Sequence, residues 1–109
     1  MEKFVKGDIV VIPFPFSDLS GSKKRPALVL AGLQGDDIIL CQITSQQTKD
    51  KYAIAINDSD FKTGKLTTPS NIRPNRIFTA DKNIIIKKAA LLDKAAFNNV
   101  IQKVISILS

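Results

Sequence analysis

Three clusters of residues have the types and spacing to do chemistry on a phosphate. The first is Lys23-Lys24-Arg25-Pro26. A guanidinium is a planar fork that can hold a phosphate through two parallel hydrogen bonds. Pro26 confines Arg25 to extended backbone, so the Arg25 side chain would leave from the stiff end of a strand. The bland alternative is a solvated arginine opening a strand. The second cluster is Gln42-Ile43-Thr44-Ser45-Gln46-Gln47-Thr48, hydroxyls and amides that follow an apolar strand directly. Alternation puts Gln42 and Thr44 on one face and Ile43 on the other. If the two strands form a hairpin, Thr44 lies near Arg25, and an arginine beside a hydroxyl makes a phosphate-sized site. Read alone, the segment is more often a polar turn with Thr as a β-former. The third is Ser70-Asn71-Ile72-Arg73-Pro74-Asn75-Arg76. Its two arginines, three apart, could track a phosphodiester backbone or guard an edge strand with charge. Phe14 and Phe16 could stack on bases, though such aromatics more often close a core or an interface.

Composition narrows the chemistry. The 109 residues contain no histidine and one cysteine. That removes the Ser-His-Asp triad, histidine-held metals and thiolate zinc sites. No metal and no cofactor is expected. Lys and Arg total 16 against 10 acids, a net charge of +6. The excess favours nucleic acid or acidic partners through counterion release. With 44% apolar and 24% charged residues, the chain can build a core. Cys41 has no partner for an internal disulfide. No apolar run approaches the ~20 residues that span a bilayer, and Met1 to Phe4 lacks a signal-like stretch. These features predict a soluble cytoplasmic protein with no membrane contact, folded as one domain over residues 1–109.

The elements that must position these residues are mostly strands. Asp8–Ile12, Pro26–Ala31, Asp37–Ile43 and Tyr52–Ile56 are β-branched or apolar runs bounded by turn residues. Gln34-Gly35-Asp36 predicts a hairpin between the second and third. The Pro-, Ser- and Gly-rich block from Pro13 to Lys24 predicts a loop. Asn57-Asp58-Ser59-Asp60 can turn the chain or cap a short helix. Ser70–Ala80 reads as a long strand, with Pro74 marking a bulge or an exposed edge. Asn83–Lys88 reads as a sixth strand. Lys49-Asp50-Lys51 and Lys87-Lys88 read as solvated charges. Phe97, Val100, Ile101, Val104, Ile105 and Leu108 have helical spacing, with Asp93 as N-cap. The pattern is mainly β with a C-terminal helix, either a small, strongly curved barrel or an open sheet.

Lys6-Gly7-Asp8-Ile9-Val10, Phe14-Pro15-Phe16-Ser17-Asp18 and Lys24-Arg25-Pro26-Ala27-Leu28-Val29-Leu30, taken in order, resemble the opening of the MazF/PemK family. These are the toxins of type II toxin–antitoxin pairs. Ile43-Thr44-Ser45-Gln46 is similar to the family's second active segment, and the resemblance runs through Ser70–Asp81 to the terminal helix. It implies a small SH3-like (MazF/CcdB-type) β-barrel forming a homodimer. It implies an endoribonuclease that needs no metal, cuts single-stranded RNA, mainly mRNA, and is neutralised by a cognate antitoxin. Arg25 and Thr44 match the family's catalytic residues. Lys23, Lys24, Ser45, Gln46, Arg73 and Arg76 would bind RNA. Phe16, Asp18, Ser20 and Gly21 fall in the mobile loop beside the site. That loop lacks the glutamate of the family's Gly-Ser-Glu-Gln-like stretch.

The expected chemistry is attack of a ribose 2′-hydroxyl on the adjacent phosphorus, with Arg25 and Thr44 stabilising the oxyanion. Lys24, Asp18 and Arg25 are candidates for moving protons. The antitoxin is expected to be acidic where it docks. Two other readings of the same fold stand beside this one: a non-catalytic toxin that poisons a protein target such as DNA gyrase, and a plain RNA- or DNA-binding module.

Overall fold

A computed structural model describes residues 3–14, 23–45 and 50–109. It contains strands β1 (Asp8–Phe14), β2 (Lys23–Gly32), β3 (Asp37–Thr44), β4 (Ile54–Ile56), β5 (Phe61–Gly64), β6 (Ser70–Asp81) and β7 (Lys87–Leu92), then helix α1 (Lys94–Leu108). All seven strands lie in one antiparallel sheet of order β4-β6-β3-β2-β1-β7-β5.

The order forces the sheet to curl. β4 and β5 are its two outermost strands, yet only residues 57–60 join them. A flat sheet of this width would hold its outer strands ~29 Å apart. The link from Ile56 to Phe61 can reach at most ~18 Å. The curl is helped by bulges, which add local twist and bend. Register shifts occur in the β1/β7, β2/β3, β3/β6 and β5/β7 pairings. The result is a half-open barrel.

β2 runs through the middle, so Ala27 to Leu30 are all buried, as expected of a strand covered on both faces. One face packs Ile9, Leu28, Leu30, Cys41, Ile43, Ile72 and Leu92 against Val100 of α1. The opposite face packs Val10, Ile12, Ala27, Val29, Ile38 and Leu40 beneath Phe4, Phe78, Ala80 and Ile85. The Asp93 side chain accepts a 2.7 Å hydrogen bond from the Ala96 N–H and starts α1, as its position in the sequence predicts. Along the helix stripe, Val100 is buried, but Ile105 and Leu108 are exposed.

Several expectations need correction. The block Pro13–Lys24 is not loop at its ends, because Pro13 pairs with Lys24 and Phe14 with Lys23 in the β1–β2 hairpin. Strand β5 has no counterpart in the sequence reading. Its four residues are mostly exposed and show no alternation. The strand expected over Asn83–Lys88 begins only at Lys87. Lys82–Ile84 form a 3-10 turn instead, started by the Asp81 side chain accepting from the Asn83 N–H. Pro74 does mark a bulge, but it is buried in an interior strand and not on an exposed edge. Lys88 is not simply solvated: its Nζ lies 3.3 Å from Oδ2 of the buried Asp8. The same oxygen accepts from the Val5 N–H at 2.8 Å and so tethers the N-terminal segment to β1.

Two glycines make a matched test of backbone strain. Gly64 has φ +68°, and an added Cβ would lie 2.6 Å from the Ala89 carbonyl oxygen. Gly35, in the β2–β3 turn, has φ +75° and open space around that position. Gly64→Ala is expected to cost about 1–3 kcal/mol and more than Gly35→Ala, as read from urea unfolding midpoints.

Candidate functional site

The β2–β3 pairing decides whether Arg25 and Thr44 meet. Ala27 faces Gln42, and Leu28 faces Cys41. Arg25 and Thr44 each lie two residues beyond the Ala27/Gln42 pair, at the same end of the two strands. Arg25 is paired on its other side with Ile12 of β1, and Thr44 with Asn71 of β6. By alternation Arg25, Thr44 and Asn71 share the sheet face that also carries Ala27 and Gln42. This is the face opposite α1, since Ala27 packs in the second cluster while Leu28 and Ile43 pack toward the helix. Arg25 and Thr44 are both half-buried, a setting where hydrogen bonds to a charged group are stronger than in open water.

Two residues further along β3, Gln42 faces Arg73. Arg73 therefore shares this face with Arg25. Between Arg73 and Ile77 the β3–β6 register slips, and Pro74, Asn75 and Arg76 form the bulge. The bulge explains why two arginines three apart have different surroundings. Arg76 is exposed, whereas the Arg73 side chain is 20% exposed and its Nε donates to Asp50 Oδ2 at 3.1 Å. Lys24 and Ser45 are exposed beside Arg25 and Thr44 in sequence. Lys23 begins β2 opposite Phe14. Phe16, Asp18, Ser20, Gly21 and Gln46 lie outside the described residues.

Asp50 corrects the sequence reading most sharply. Between Lys49 and Lys51 it reads as a solvated charge, yet its side chain is only 8% exposed. The Tyr52 backbone N–H, 2.9 Å from Oδ1, holds its carboxyl below the usual carboxylate range. Burial opposes that shift, and the Arg73 and Asn75 side chains reinforce it. The Tyr52 contact is local, but the cation that Asp50 pairs with is 23 residues away, where no local pattern could show it.

Among the described residues no group of His, Cys, Asp and Glu could hold a metal ion. Burial pushes the Cys41 thiol up to about 12, which makes it a poor nucleophile. Among the described residues, no helix is long and apolar enough to cross a membrane.

Because the Asp50 carboxyl ionises more readily in the folded protein than in the unfolded chain, it stabilises the fold above its ordinary value of 3.8. That contribution is lost as pH falls through the lower folded value. Urea unfolding followed from pH 6 down to pH 2 should therefore show a steeper loss for the wild type than for Asp50→Asn.

Residues 5–108 match the family model described as PemK-like, MazF-like toxin of type II toxin–antitoxin system. No curated protein matches the chain. Among solved structures, MazE-MazF (Form-II) from Deinococcus radiodurans is 18% identical with a TM-score of 0.76, covering 100% of this chain and 98% of that one. An endoribonuclease in complex with its cognate antitoxin, from a mycobacterial species, is 14% identical with a TM-score of 0.76, covering 97% and 95%. A further mycobacterial endoribonuclease is 16% identical with a TM-score of 0.73, covering 99% and 93%. At these identities the likeness to the solved structures is one of fold. The family model, by contrast, spans almost the whole curled sheet and its helix, and the chain belongs to the PemK-like, MazF-like toxins of type II toxin–antitoxin systems.

Proposed function

We propose that the protein is an endoribonuclease toxin that cuts single-stranded RNA at the face carrying Arg25 and Thr44. The observation that supports this reading is the β2–β3 register, whose last pair, Ala27 and Gln42, lies two residues from Arg25 and from Thr44 on the same face. Family membership supports it, as do structures of the same fold that are named endoribonucleases.

In the reaction a ribose 2′-hydroxyl oxygen bonds to the adjacent phosphorus, and the bond from phosphorus to the 5′-oxygen breaks. The products are a 2′,3′-cyclic phosphate and a 5′-hydroxyl. Negative charge gathers on the non-bridging oxygens. Arg25 meets it with two parallel N–H donors, and the Thr44 hydroxyl supplies a third. The proton leaving the 2′-hydroxyl and the one reaching the 5′-oxygen pass through Lys24, Asp18 or Arg25. Arginine holds its proton above pH ~12, which makes Arg25 first of all an electrostatic group. Lys23, Lys24, Ser45, Gln46, Arg73 and Arg76 bind the flanking strand, and Phe16, Asp18, Ser20 and Gly21 gate access to it. RNA is chosen over DNA because the attacking group is the 2′-hydroxyl. The protein works as a homodimer in the cytoplasm, needs no metal, and is restrained by an acidic antitoxin segment lying over the basic face.

Purified protein should cut RNA in EDTA, leave 5′-hydroxyl ends, and spare the same RNA carrying 2′-deoxy residues at the mapped cut sites. Arg25→Ala should lower the cleavage rate by about 10²–10³ with the fold retained by circular dichroism. Cutting of the deoxy substrate, or full activity of Arg25→Ala, refutes the assignment. Affinity for the cognate antitoxin should fall as salt rises; an affinity independent of salt contradicts electrostatic docking.

A further inference from the structure

We propose that Asp50 is a positioning residue of the RNA-binding face: its carboxylate holds the Arg73 guanidinium so that the terminal nitrogens of Arg73 meet a phosphate next to the one at Arg25. The proposal rests on the endoribonuclease reading above and names how a second phosphate of the same strand is gripped.

The geometry has three parts. First, Arg25 and Arg73 share a face. Arg73 lies opposite Gln42, Gln42 opposite Ala27, and Arg25 two residues before Ala27. Two strand spacings sideways and two residues lengthwise put their Cα atoms about 12 Å apart. Two long side chains can close that gap to neighbouring phosphates of one strand. Second, Asp50 binds Arg73 through Nε alone among the contacts seen, at 3.1 Å. Four of the five guanidinium N–H groups sit on the terminal nitrogens; one of these runs parallel to Nε–H, and the other three point away from Asp50. Third, Asp50 is itself anchored. Its Oδ1 accepts from the Tyr52 N–H at 2.9 Å. The carboxylate is therefore a fixed post, not a swinging counter-ion.

A carboxylate beside a guanidinium does two opposed things: it orients the group and it cancels its charge. Anchoring favours orientation. An arginine already ordered loses little freedom when a phosphate arrives, whereas a free arginine must be ordered at that moment. The contact at Arg73 should therefore be short-range and geometric. The two effects predict opposite results when Asp50 loses its charge.

The probe is a mixed-sequence 2′-O-methyl RNA pool, which cannot be cut, titrated by fluorescence anisotropy at several salt concentrations. Asp50→Asn should weaken binding about tenfold and lower the salt slope by up to about one. Asp50→Glu should recover most of the loss. In an Arg73→Ala background, Asp50→Asn should change nothing more, which a merely structural role would not produce. Tighter or unchanged binding by Asp50→Asn overturns the proposal, as does a loss that adds to that of Arg73→Ala. Unfolding curves check each variant. If Asp50→Asn does not fold, Arg73→Lys decides: it keeps the charge but loses the planar fork, so it must bind as weakly as Arg73→Ala, and full binding overturns the proposal. Wild type that binds the pool but leaves unmodified RNA intact sinks the nuclease reading and not this one.

Discussion

The structure depends on a short tether. Residues 57–60 connect strands at opposite edges of a seven-stranded sheet, so the sheet has to roll until those edges come near each other. Rolling gives it two unlike faces. The inner one closes over an aliphatic core that Val100 of the terminal helix completes. The other buries a smaller apolar patch under Phe4, Phe78 and Ile85, and leaves its polar end, with Arg25, Thr44, Asn71 and Arg73, toward the outside. The helix is thus kept from the face where the polar side chains gather.

The bulges that help the sheet roll also arrange the proposed site. If the β3–β6 ladder kept one register, Arg76 would take part in it like its neighbours. The slip between Cys41 and Gln42 instead puts Pro74, Asn75 and Arg76 outside the regular pairing and seats Arg73 opposite Gln42. A curvature device and a charge-placing device are the same three residues, which fits the general tendency of bulges to lie beside functional sites and re-aim side chains.

Charge is handled differently in two places. Asp8 is buried, and its Oδ2 is divided between the Val5 N–H and the Lys88 ammonium, an arrangement that fastens the N-terminal segment over the second apolar cluster. Asp50 is nearly as enclosed, but its partner is a guanidinium with spare donors on the polar face. The first pairing uses up its cation on structure: Lys88 also contacts the Phe4 ring and the Lys3 carbonyl. The second leaves its cation with donors to offer.

Much was legible in the residues alone. The apolar runs of β1, β2, β3 and β6 announce themselves by β-branching and turn residues, and α1 by its period and the Asp93 cap. The Arg-Pro step and the hydroxyl cluster after β3 mark the two halves of the proposed site. What sequence could not decide is what depends on distance through space. β5 is too short and too exposed to show a period. The Ile84-Ile85-Ile86 run looks like strand because apolar residues without alternation carry no directional signal, and only the Asp81 cap reveals the turn. Asp50 looked solvated because its neighbours in sequence are lysines, while its surroundings are built by a strand 23 residues on. Local pattern specifies backbone preference and which side of an element is apolar. Register, curl and the pairing of a carboxylate with one particular arginine are set by contacts between distant segments, and those exist only once the chain has closed on itself.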